Sequence, residues 1–273
     1  MEEARRQEAG MQEARGRGMV QLSLVLACYN EEPHIEDSVA QIVEVLDGSP
    51  WTYEIIFVDD CSKDRTRELI DQIIARYPNH RMRRIFHEKN VGRGGTVTDG
   101  MRAGEGEIVG FIDIDLEVHA RYIPSCVRAI EKGADVATGL RTYRFYWHSV
   151  DRYLMSRGYI WLVQRMLGVP LHDTETGFKF FRKSRILPIF DEVQDTRWFW
   201  DTEIMVRAYL RGLNIQEVPV LFVRRFDKKS TVRPIRDTVE YFVKFWRFRR
   251  VVRQLKQEAA VAGVARGWLR ESL

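Results

Sequence analysis

Residues 108–117 read IVGFIDIDLE, an apolar run of strand length that ends in three acidic residues at every second position. In an extended segment alternate side chains point the same way, so the carboxylates of Asp113, Asp115 and Glu117 are expected on one side. Neighbouring carboxylates repel each other unless a cation lies between them, and oxygen ligands suit Mg²⁺ or Mn²⁺. The pattern predicts Asp113 and Asp115 as metal ligands, with Glu117 as a third, directly or through water. The alternative is that these acids only end a strand and begin a turn.

The sequence before this segment alternates strand and helix patterns. Strands are predicted at Leu22–Ala27, Glu54–Val58 and, more weakly, Arg83–His87, and helices near Ile35–Leu46 and Thr66–Tyr77. This alternation predicts an α/β fold with a mostly parallel central sheet flanked by helices. Such sheets bind ligands at the carboxyl ends of their strands, which is where the polar residues follow the apolar runs.

The second half of the chain has a less regular pattern. Helices are predicted at Ser149–Leu167, Thr202–Arg211 and Val232–Lys256, and strands at Phe178–Phe181 and Asn214–Val223, where Pro219 indicates an edge or a bulge. We therefore predict a charged tail over residues 1–19, a single domain over 20–231 and an amphipathic helical extension over 232–273.

Composition restricts the class of protein. The chain has 273 residues, of which 45% are hydrophobic, and a formal net charge of +4. The three cysteines, Cys28, Cys61 and Cys126, are far apart, which argues against a zinc site or a disulfide framework and favours a reducing, cytoplasmic setting. No apolar stretch has the length of a transmembrane helix, and the N-terminus has no signal-peptide pattern.

Two further polar segments follow predicted strands. In the segment that contains Asp59 and Asp60, a carboxylate can accept hydrogen bonds from a base or a ribose, while Ser62 or Asp64 can cap the next helix. Residues 89–95, KNVGRGG, combine glycines with Lys89 and Arg93, which suits a close approach to an anionic ligand. The spacing fits neither a Walker A loop nor a dinucleotide fingerprint, and a plain turn before a helix is the alternative.

Taken together, these segments resemble family 2 glycosyltransferases of the GT-A fold. The resemblance rests on LVLACYNEE (24–32), EIIFVDDCSKDRT (54–66) and the run from Asn90 to Glu117, NVGRGGTVTDGMRAGEGEIVGFIDIDLE. DTETGFKFF (173–181) and RWFWDTE (197–203) are most similar to dolichyl-phosphate glucose and mannose synthases. The resemblance extends over about residues 21–240.

The resemblance implies a role for individual residues. It implies an inverting transfer of a hexose from a UDP- or GDP-linked sugar to a lipid phosphate, with Mg²⁺ or Mn²⁺ on Asp113, Asp115 and Glu117. Arg141, Arg152 and Ser156 would hold the acceptor phosphate, and Asp201, Asp173 and Arg141 would form the catalytic region. The nucleotide-binding positions would be Ala27, Tyr29, Glu31, Asp60, Lys89, Arg93, Gly94, Asp113, Ile114 and Asp115.

Several alternatives stay open from the sequence. The acceptor can instead be a sugar or polysaccharide hydroxyl, with Asp201 as general base, or Asp201 can simply cap the helix that begins at Thr202. A nucleotidyltransferase lacks support because residues 22–33 contain no glycine-rich basic loop, and a non-catalytic nucleotide-sugar binding module is the rival from another class. Residues 153–167 and 241–250 combine aromatic residues with arginines, which suggests peripheral contact with the cytoplasmic membrane face or an oligomer contact. No nucleic-acid partner is expected.

Overall fold

The computed structural model describes residues 19–143, 163–224 and 234–261. Its strands are β1 (Leu22–Cys28), β2 (Tyr53–Asp59), β3 (Met82–Phe86), β4 (Ile108–Ile112), β5 (Val136–Tyr143), β6 (Phe178–Arg182) and β7 (Ile215–Phe222). Its main helices are α1 (Ile35–Asp47), α2 (Thr66–Arg76), α3 (Arg93–Ala103), α4 (Ile123–Glu131), α5 (Lys183–Phe190), α6 (Trp200–Leu210) and α7 (Pro234–Val261).

In this described part of the chain, seven strands form one sheet in the order β3-β2-β1-β4-β6-β5-β7. Neighbouring strands from β3 to β4 are parallel, β6 is antiparallel to both β4 and β5, and β5 is parallel to β7. Only β6 is therefore reversed. Its amino end meets the carboxyl end of β4, where Phe178 pairs with Ile112.

Alternate residues of the central strands supply two cores on opposite faces of the sheet. In β1, Leu24 and Leu26 pack with α1, α2 and α4, whereas Val25 packs with α3, α5 and α6. Because both faces are covered, the central strands are apolar on both sides, as expected for parallel strands. A third core lies between α6 and α7 and includes Phe245 and Phe248.

The predicted α/β architecture is confirmed, and several boundaries match within two residues. Three elements were not predicted, namely α4, β5 and α5, and α3 was considered only in the alternative of a turn before a helix. Strand β5, VATGLRTY, lacks a run of apolar residues because its second half carries Arg141 to the sheet edge. Helix α5 contains Pro188, which usually interrupts a helix. Pro219 lies in β7, the edge strand of the sheet, where a missing N–H is tolerated.

The three cysteines all lie in the part of the chain that the structure describes, and Cys28 and Cys126 are buried. None of the three forms a disulfide. Burial raises the pKa of the Cys126 thiol to about 12, so this side chain behaves as a small apolar group of the core.

The predicted division at residues 20 and 231 stays a prediction. Residues 1–18, 144–162, 225–233 and 262–273 lie outside the described part of the chain. The predicted tail falls almost wholly there, as does most of the helix predicted from Ser149. Among the described helices, none has both the length and the apolar character needed to span a membrane.

Candidate active site at the carboxyl edge of the sheet

The acidic segments meet at one edge because β2, β1 and β4 are parallel neighbours. These strands end at Asp59, Cys28 and Ile112, and adjacent strands lie about 4.8 Å apart. Asp60 and Asp115 thus follow strand ends on the same edge of the sheet. The sequence analysis expected polar residues at this edge, and the strand order places both acidic segments there.

The acidic segment after β4 is a turn rather than an extended strand. The Leu116 N–H donates to the Asp113 carbonyl oxygen at 3.1 Å, and Leu116 has a φ of 52°. Ile114 is buried in the core that contains β1 and α1. The prediction that strand alternation aligns the acidic side chains is therefore wrong, because the chain turns directly after Ile112.

The carboxylate of Asp113 packs directly on Gly177. A Cβ atom at position 177 would lie 1.7 Å from Asp113 Oδ2, so only glycine leaves room for the carboxylate. The Asp113 N–H donates to the Gly177 carbonyl oxygen at 2.9 Å, which extends the β4–β6 pairing by one step. The reversed strand β6 thereby brings its preceding segment to the acidic turn.

Arg93, the first residue of α3, bridges two carboxylates. Its Nε and one terminal nitrogen donate to Asp113 Oδ1 at 3.0 and 2.6 Å, and its other terminal nitrogen donates to Asp201 Oδ2 at 2.5 Å. Although burial opposes the charged form, attraction by Asp113 and Asp201 raises the pKa of Arg93. The Trp198 ring also lies near this guanidinium, at 5.8 Å. A permanent positive charge is thus fixed beside the acidic turn.

Asp201 lies in the first turn of α6 and pairs with a second cation, Lys179. The Lys179 side chain is fully buried, and its Nζ donates to Asp201 Oδ1 at 2.6 Å and to the Thr176 carbonyl oxygen. Burial lowers the pKa of Lys179, and repulsion from Arg93 adds to this effect. The interpretation of Asp201 as a cap for the helix is wrong, because α6 begins at Trp200 and both Asp201 oxygens bind cations.

Gly94 allows α3 to approach α6 closely. A Cβ at this position would lie 2.4 Å from Cβ and Cγ of Trp200. The predicted contact of Gly94 with nucleotide stays a prediction, and the contact that the structure shows for this residue is with Trp200. This close contact sets the separation of α3 and α6, and so the distance between Arg93 and Asp201.

Asp60 is a buried residue that holds the glycine-rich segment in place. Its Oδ1 accepts from the Val91 N–H at 2.8 Å and its Oδ2 from the Gly92 N–H at 2.9 Å. His87 Nδ1 lies 3.1 Å from the same Oδ1. The carboxylate therefore fixes the start of α3, and through it Arg93, so that this acid supports the site by positioning the loop.

The end of β1 carries the other predicted nucleotide contacts. Tyr29 is partly exposed at the edge, and Ala27 is partly buried one residue before the strand ends. Asn30 adopts a φ of 57° and is bonded to the segment after β2, since its N–H donates to Ser62 Oγ at 2.9 Å. Glu31 is buried, and its N–H donates to Thr66 Oγ1 at 2.8 Å. Lys89 lies exposed just before the glycine-rich segment.

Arg141 and Asp173 form a bidentate ion pair at the carboxyl end of β5. The Arg141 Nε donates to Asp173 Oδ2 at 2.6 Å, and a terminal nitrogen donates to Oδ1 at 2.9 Å. Burial raises the pKa of Asp173, but the attraction of Arg141 outweighs it, so the pKa lies below its ordinary value. Two of the three predicted catalytic positions are thus joined in one ion pair.

The metal ligands that the sequence predicted do not form a closed three-ligand cluster. Within residues 19–143, 163–224 and 234–261, no group of three or more His, Cys, Asp or Glu side chains is arranged to hold a metal. The Glu117 N–H donates to Asp115 Oδ1 at 3.3 Å, and its carbonyl oxygen accepts from Val223. The carboxylates of Asp113 and Asp115 are the oxygen ligands that could hold a hard divalent cation, with substrate oxygens and water completing its shell.

Two residues of the site, Lys179 and Gly177, were not predicted individually from the sequence. Each lies in the segment DTETGFKFF, where the signal for Lys179 was a single cation inside an otherwise apolar strand. The predicted acceptor-phosphate residues Arg152 and Ser156 lie outside the described residues.

Comparison with known protein families gives a match over more than half of the chain. The model for "Glycosyl transferase family 2" matches residues 23–188, which extend from β1 into α5 and contain the acidic turn. The chain belongs to glycosyl transferase family 2. Its sheet and flanking helices have the GT-A fold, so the fold and the family that the sequence motifs suggested are both confirmed.

Two curated family members are similar over most of the chain. "Glycosyltransferase AglD" of Haloferax volcanii is 33% identical over 233 residues, which cover 83% of this chain and 37% of that protein. Human "Dolichyl-phosphate beta-glucosyltransferase" is 29% identical over 219 residues, which cover 73% of this chain and 66% of the human protein. The chain thus spans about a third of the first relative and about two thirds of the second.

Solved structures share the fold at lower sequence identity. Glucosyl-3-phosphoglycerate synthase from Mycobacterium tuberculosis in complex with UDP has a TM-score of 0.57 at 23% identity, with 81% of this chain and 77% of that chain covered. Staphylococcus aureus TarS 1–349 in complex with UDP-GlcNAc has a TM-score of 0.55 at 17% identity, with 85% and 66% covered.

Proposed function

We propose that the protein transfers a hexose, with inversion at the anomeric carbon, from a UDP- or GDP-linked sugar to a polyprenyl or other lipid phosphate. The observation that carries the proposal is the array at the sheet edge, where Arg93 joins the acidic turn to Asp201 and Lys179. One human protein and one protein of Dictyostelium discoideum that are similar to this chain are named dolichyl-phosphate beta-glucosyltransferase, which supports this choice of acceptor.

The donor diphosphate would bind beside the acidic turn. Asp113 and Asp115 are the residues that would hold Mg²⁺ or Mn²⁺, and this metal, when bound, neutralises charge on the leaving nucleoside diphosphate. One structure of the mycobacterial fold neighbour contains Mn²⁺, UDP and glucosyl-3-phosphoglycerate together. Arg93, held by Asp113 and Asp201, places a fixed cation at the same edge and so favours an anionic ligand there.

The nucleoside would lie over the carboxyl ends of β1 and β2. The partly exposed Tyr29 offers a ring to the base, and Glu31 offers a carboxylate to base or ribose. Asp60 contributes by holding the glycine-rich segment, while Lys89 adds positive charge at its rim. Ala27, Gly94 and Ile114 would contribute through their backbone, which lies close to the nucleotide, and through packing of the segments around it.

The ion pairs that Asp201 forms with Lys179 and Arg93 favour a phosphate acceptor over a hydroxyl acceptor. A hydroxyl needs a base to remove its proton, whereas a phosphate is already ionised near neutral pH. If Asp201 accepted that proton, buried Lys179 and Arg93 would lose their shared counterion, which is costly. Arg141, held in one plane by Asp173, and the predicted pair Arg152 and Ser156 would orient the acceptor phosphate for in-line attack.

The test is sugar transfer by the purified chain with a panel of UDP- and GDP-sugars, polyprenyl phosphate and Mg²⁺ or Mn²⁺. We expect one donor to give an acid-labile glycosyl lipid, and Asp115→Asn to lower kcat by at least about 100-fold because a metal ligand is lost. Asp71→Asn, which removes a carboxylate from a surface ion pair on α2, is the control and should retain full rate. Transfer at the normal rate by Asp115→Asn without added metal would refute the metal role, and transfer only to soluble sugars would refute the acceptor.

A further inference from the structure

Helix α7 has a face that the core of the protein does not use. One side of the helix packs on α6 through Phe245, Phe248 and Val252. On the opposite side Phe242, Val243 and Trp246 are 47%, 45% and 51% exposed. Large apolar side chains grouped on the outer face of a helix mark a contact surface.

The same outer face is strongly basic. From Tyr241 to Gln257 the sequence YFVKFWRFRRVVRQLKQ contains six Lys or Arg residues and no Asp or Glu. Arg247, Arg250 and Arg253 lie on this face, and the Arg249 guanidinium covers the Trp246 ring at 5.2 Å. Within the described residues none of these four arginines forms an ion pair with a carboxylate. We call Phe242, Val243, Trp246 and the four arginines the basic aromatic face.

We propose that the basic aromatic face docks on the surface of an anionic lipid bilayer, with the helix axis parallel to the membrane. Aromatic residues of an interfacial helix enter the boundary between headgroups and acyl chains, while arginines bind lipid phosphates. Two copies of the same chain are a poor alternative, because a symmetric contact would set the arginines of one face against those of the other.

The basic aromatic face lies close to the site, so docking would bring the site near the bilayer. Tyr241, at its start, bonds through its hydroxyl to Thr202 Oγ1 at 2.7 Å, and Thr202 follows Asp201. The next residue, Phe242, begins the basic aromatic face. A protein docked in this way holds the α6 end of its site close to the bilayer, where a lipid phosphate is found. The inference goes beyond the proposed function, since docking itself requires no sugar transfer.

The test is sedimentation of the full chain with vesicles of phosphatidylcholine alone and of phosphatidylcholine mixed with phosphatidylglycerol. We expect binding to the mixed vesicles only, and weaker binding at high salt because ions screen the arginines. The double variant Arg250→Glu and Arg253→Glu should bind more than about 25-fold more weakly, since each lipid-facing cation contributes about fivefold. Trp246→Ser should weaken binding at any salt concentration. Lys132→Glu, which reverses one charge next to α4 on the other side of the sheet, is the control for a general effect of net charge.

Three results would overturn the proposal. They are equal sedimentation of the wild type with both kinds of vesicle, an unchanged affinity of the folded arginine variant, and an equal loss in Lys132→Glu. Loss of a dimer or of nucleic-acid binding in the variants, without lipid binding by the wild type, would assign the face to that other partner. Thermal melts identify folded variants, and Arg253→Gln replaces the double variant if the latter melts early. Transfer to a short, water-soluble acceptor should remain normal in all variants, so failure of docking and failure of the proposed function are distinguishable.

Discussion

Asp201 is the residue on which the charge balance of the site depends. It is buried at the start of α6 and is the carboxylate shared by Lys179 and Arg93. Lys179 has no exposure to water, so its charge is tolerated only because Asp201 and the Thr176 carbonyl oxygen accept from it. The site is therefore a network of coupled charges rather than a set of separate contacts.

We expect Asp201→Asn to lower the free energy of unfolding by about 3 kcal/mol, because it leaves the buried Lys179 without a counterion. Asp201→Asn should also lower turnover, because Arg93 loses one of its two carboxylate partners. The double variant Asp201→Asn with Lys179→Met should recover part of the stability but none of the turnover, since Arg93 still lacks that partner. Urea unfolding and steady-state kinetics measure the two effects. Asp71→Asn on the surface should change stability by less than about 1 kcal/mol. Equal losses in the single and double variants would contradict the proposed coupling.

The pair Arg141 and Asp173 should give stability a dependence on pH. Because the folded pKa of Asp173 lies below its ordinary value of 3.8, the stabilisation is complete above that value and is lost as the pH falls through the folded pKa. Arg141→Met removes this contribution. We expect the wild type to exceed the variant in free energy of unfolding by about 3 kcal/mol near neutral pH, and by less below pH 3.8. Urea unfolding over a pH series measures the difference, and a difference that does not shrink in acid would contradict it.

At the scale of elements, the site depends on how closely two helices approach. Helix α3 carries Arg93 and α6 carries Asp201, and the contact between Gly94 and Trp200 fixes their separation. The segment before α3 is in turn held by Asp60 through the backbone of residues 91 and 92. Small side chains and buried carboxylates here control position, although none of them needs to touch a substrate.

We expect Gly94→Ala to lower the free energy of unfolding by about 2 kcal/mol, because the added methyl group overlaps Trp200 and forces the helices apart. The loss of turnover should exceed tenfold, since a shift of about 1 Å displaces Arg93. Gly48→Ala is the control, because its Cβ would make only ordinary contacts at 3.5 Å and beyond. If Gly94→Ala retained full turnover, the packing role of this glycine would be wrong.

The same scale shows what the sequence could predict. The apolar runs before Tyr29, Asp60 and Asp113 predicted three parallel strands and their common edge, because burial on both faces leaves a continuous apolar signal. The ion pairs of Arg93 with Asp113 and Asp201 could not be predicted, since they join residues 20 and 108 positions apart. The turn after Ile112 was given only as the alternative, because alternating Asp and Ile is also the pattern of an extended strand.

Over the whole molecule, metal and nucleotide binding should be coupled. Only Asp113 and Asp115 are expected to supply protein ligands, and Asp113 is already paired with Arg93, so the metal needs donor phosphates to complete its shell.

We expect Mn²⁺ alone to leave the melting temperature nearly unchanged, and Mn²⁺ with the matching nucleoside diphosphate to raise it by several degrees through mass action. A chelator should abolish turnover and remove only that additional stabilisation. Scanning calorimetry of the protein with each component measures this. A large shift with Mn²⁺ alone would instead reveal a preformed metal site.

The single reversed strand, β6, gives the two ends of one short segment different uses for engineering. Residues added before Phe178 would project over the reaction centre and alter which acceptors fit. Residues added after Arg182 would emerge from the opposite rim, where a tag or a fused domain stays remote from catalysis. Libraries for changed acceptor choice therefore belong in residues 168–176 with Asp173 kept as the partner of Arg141, and attachment sites belong at the far rim.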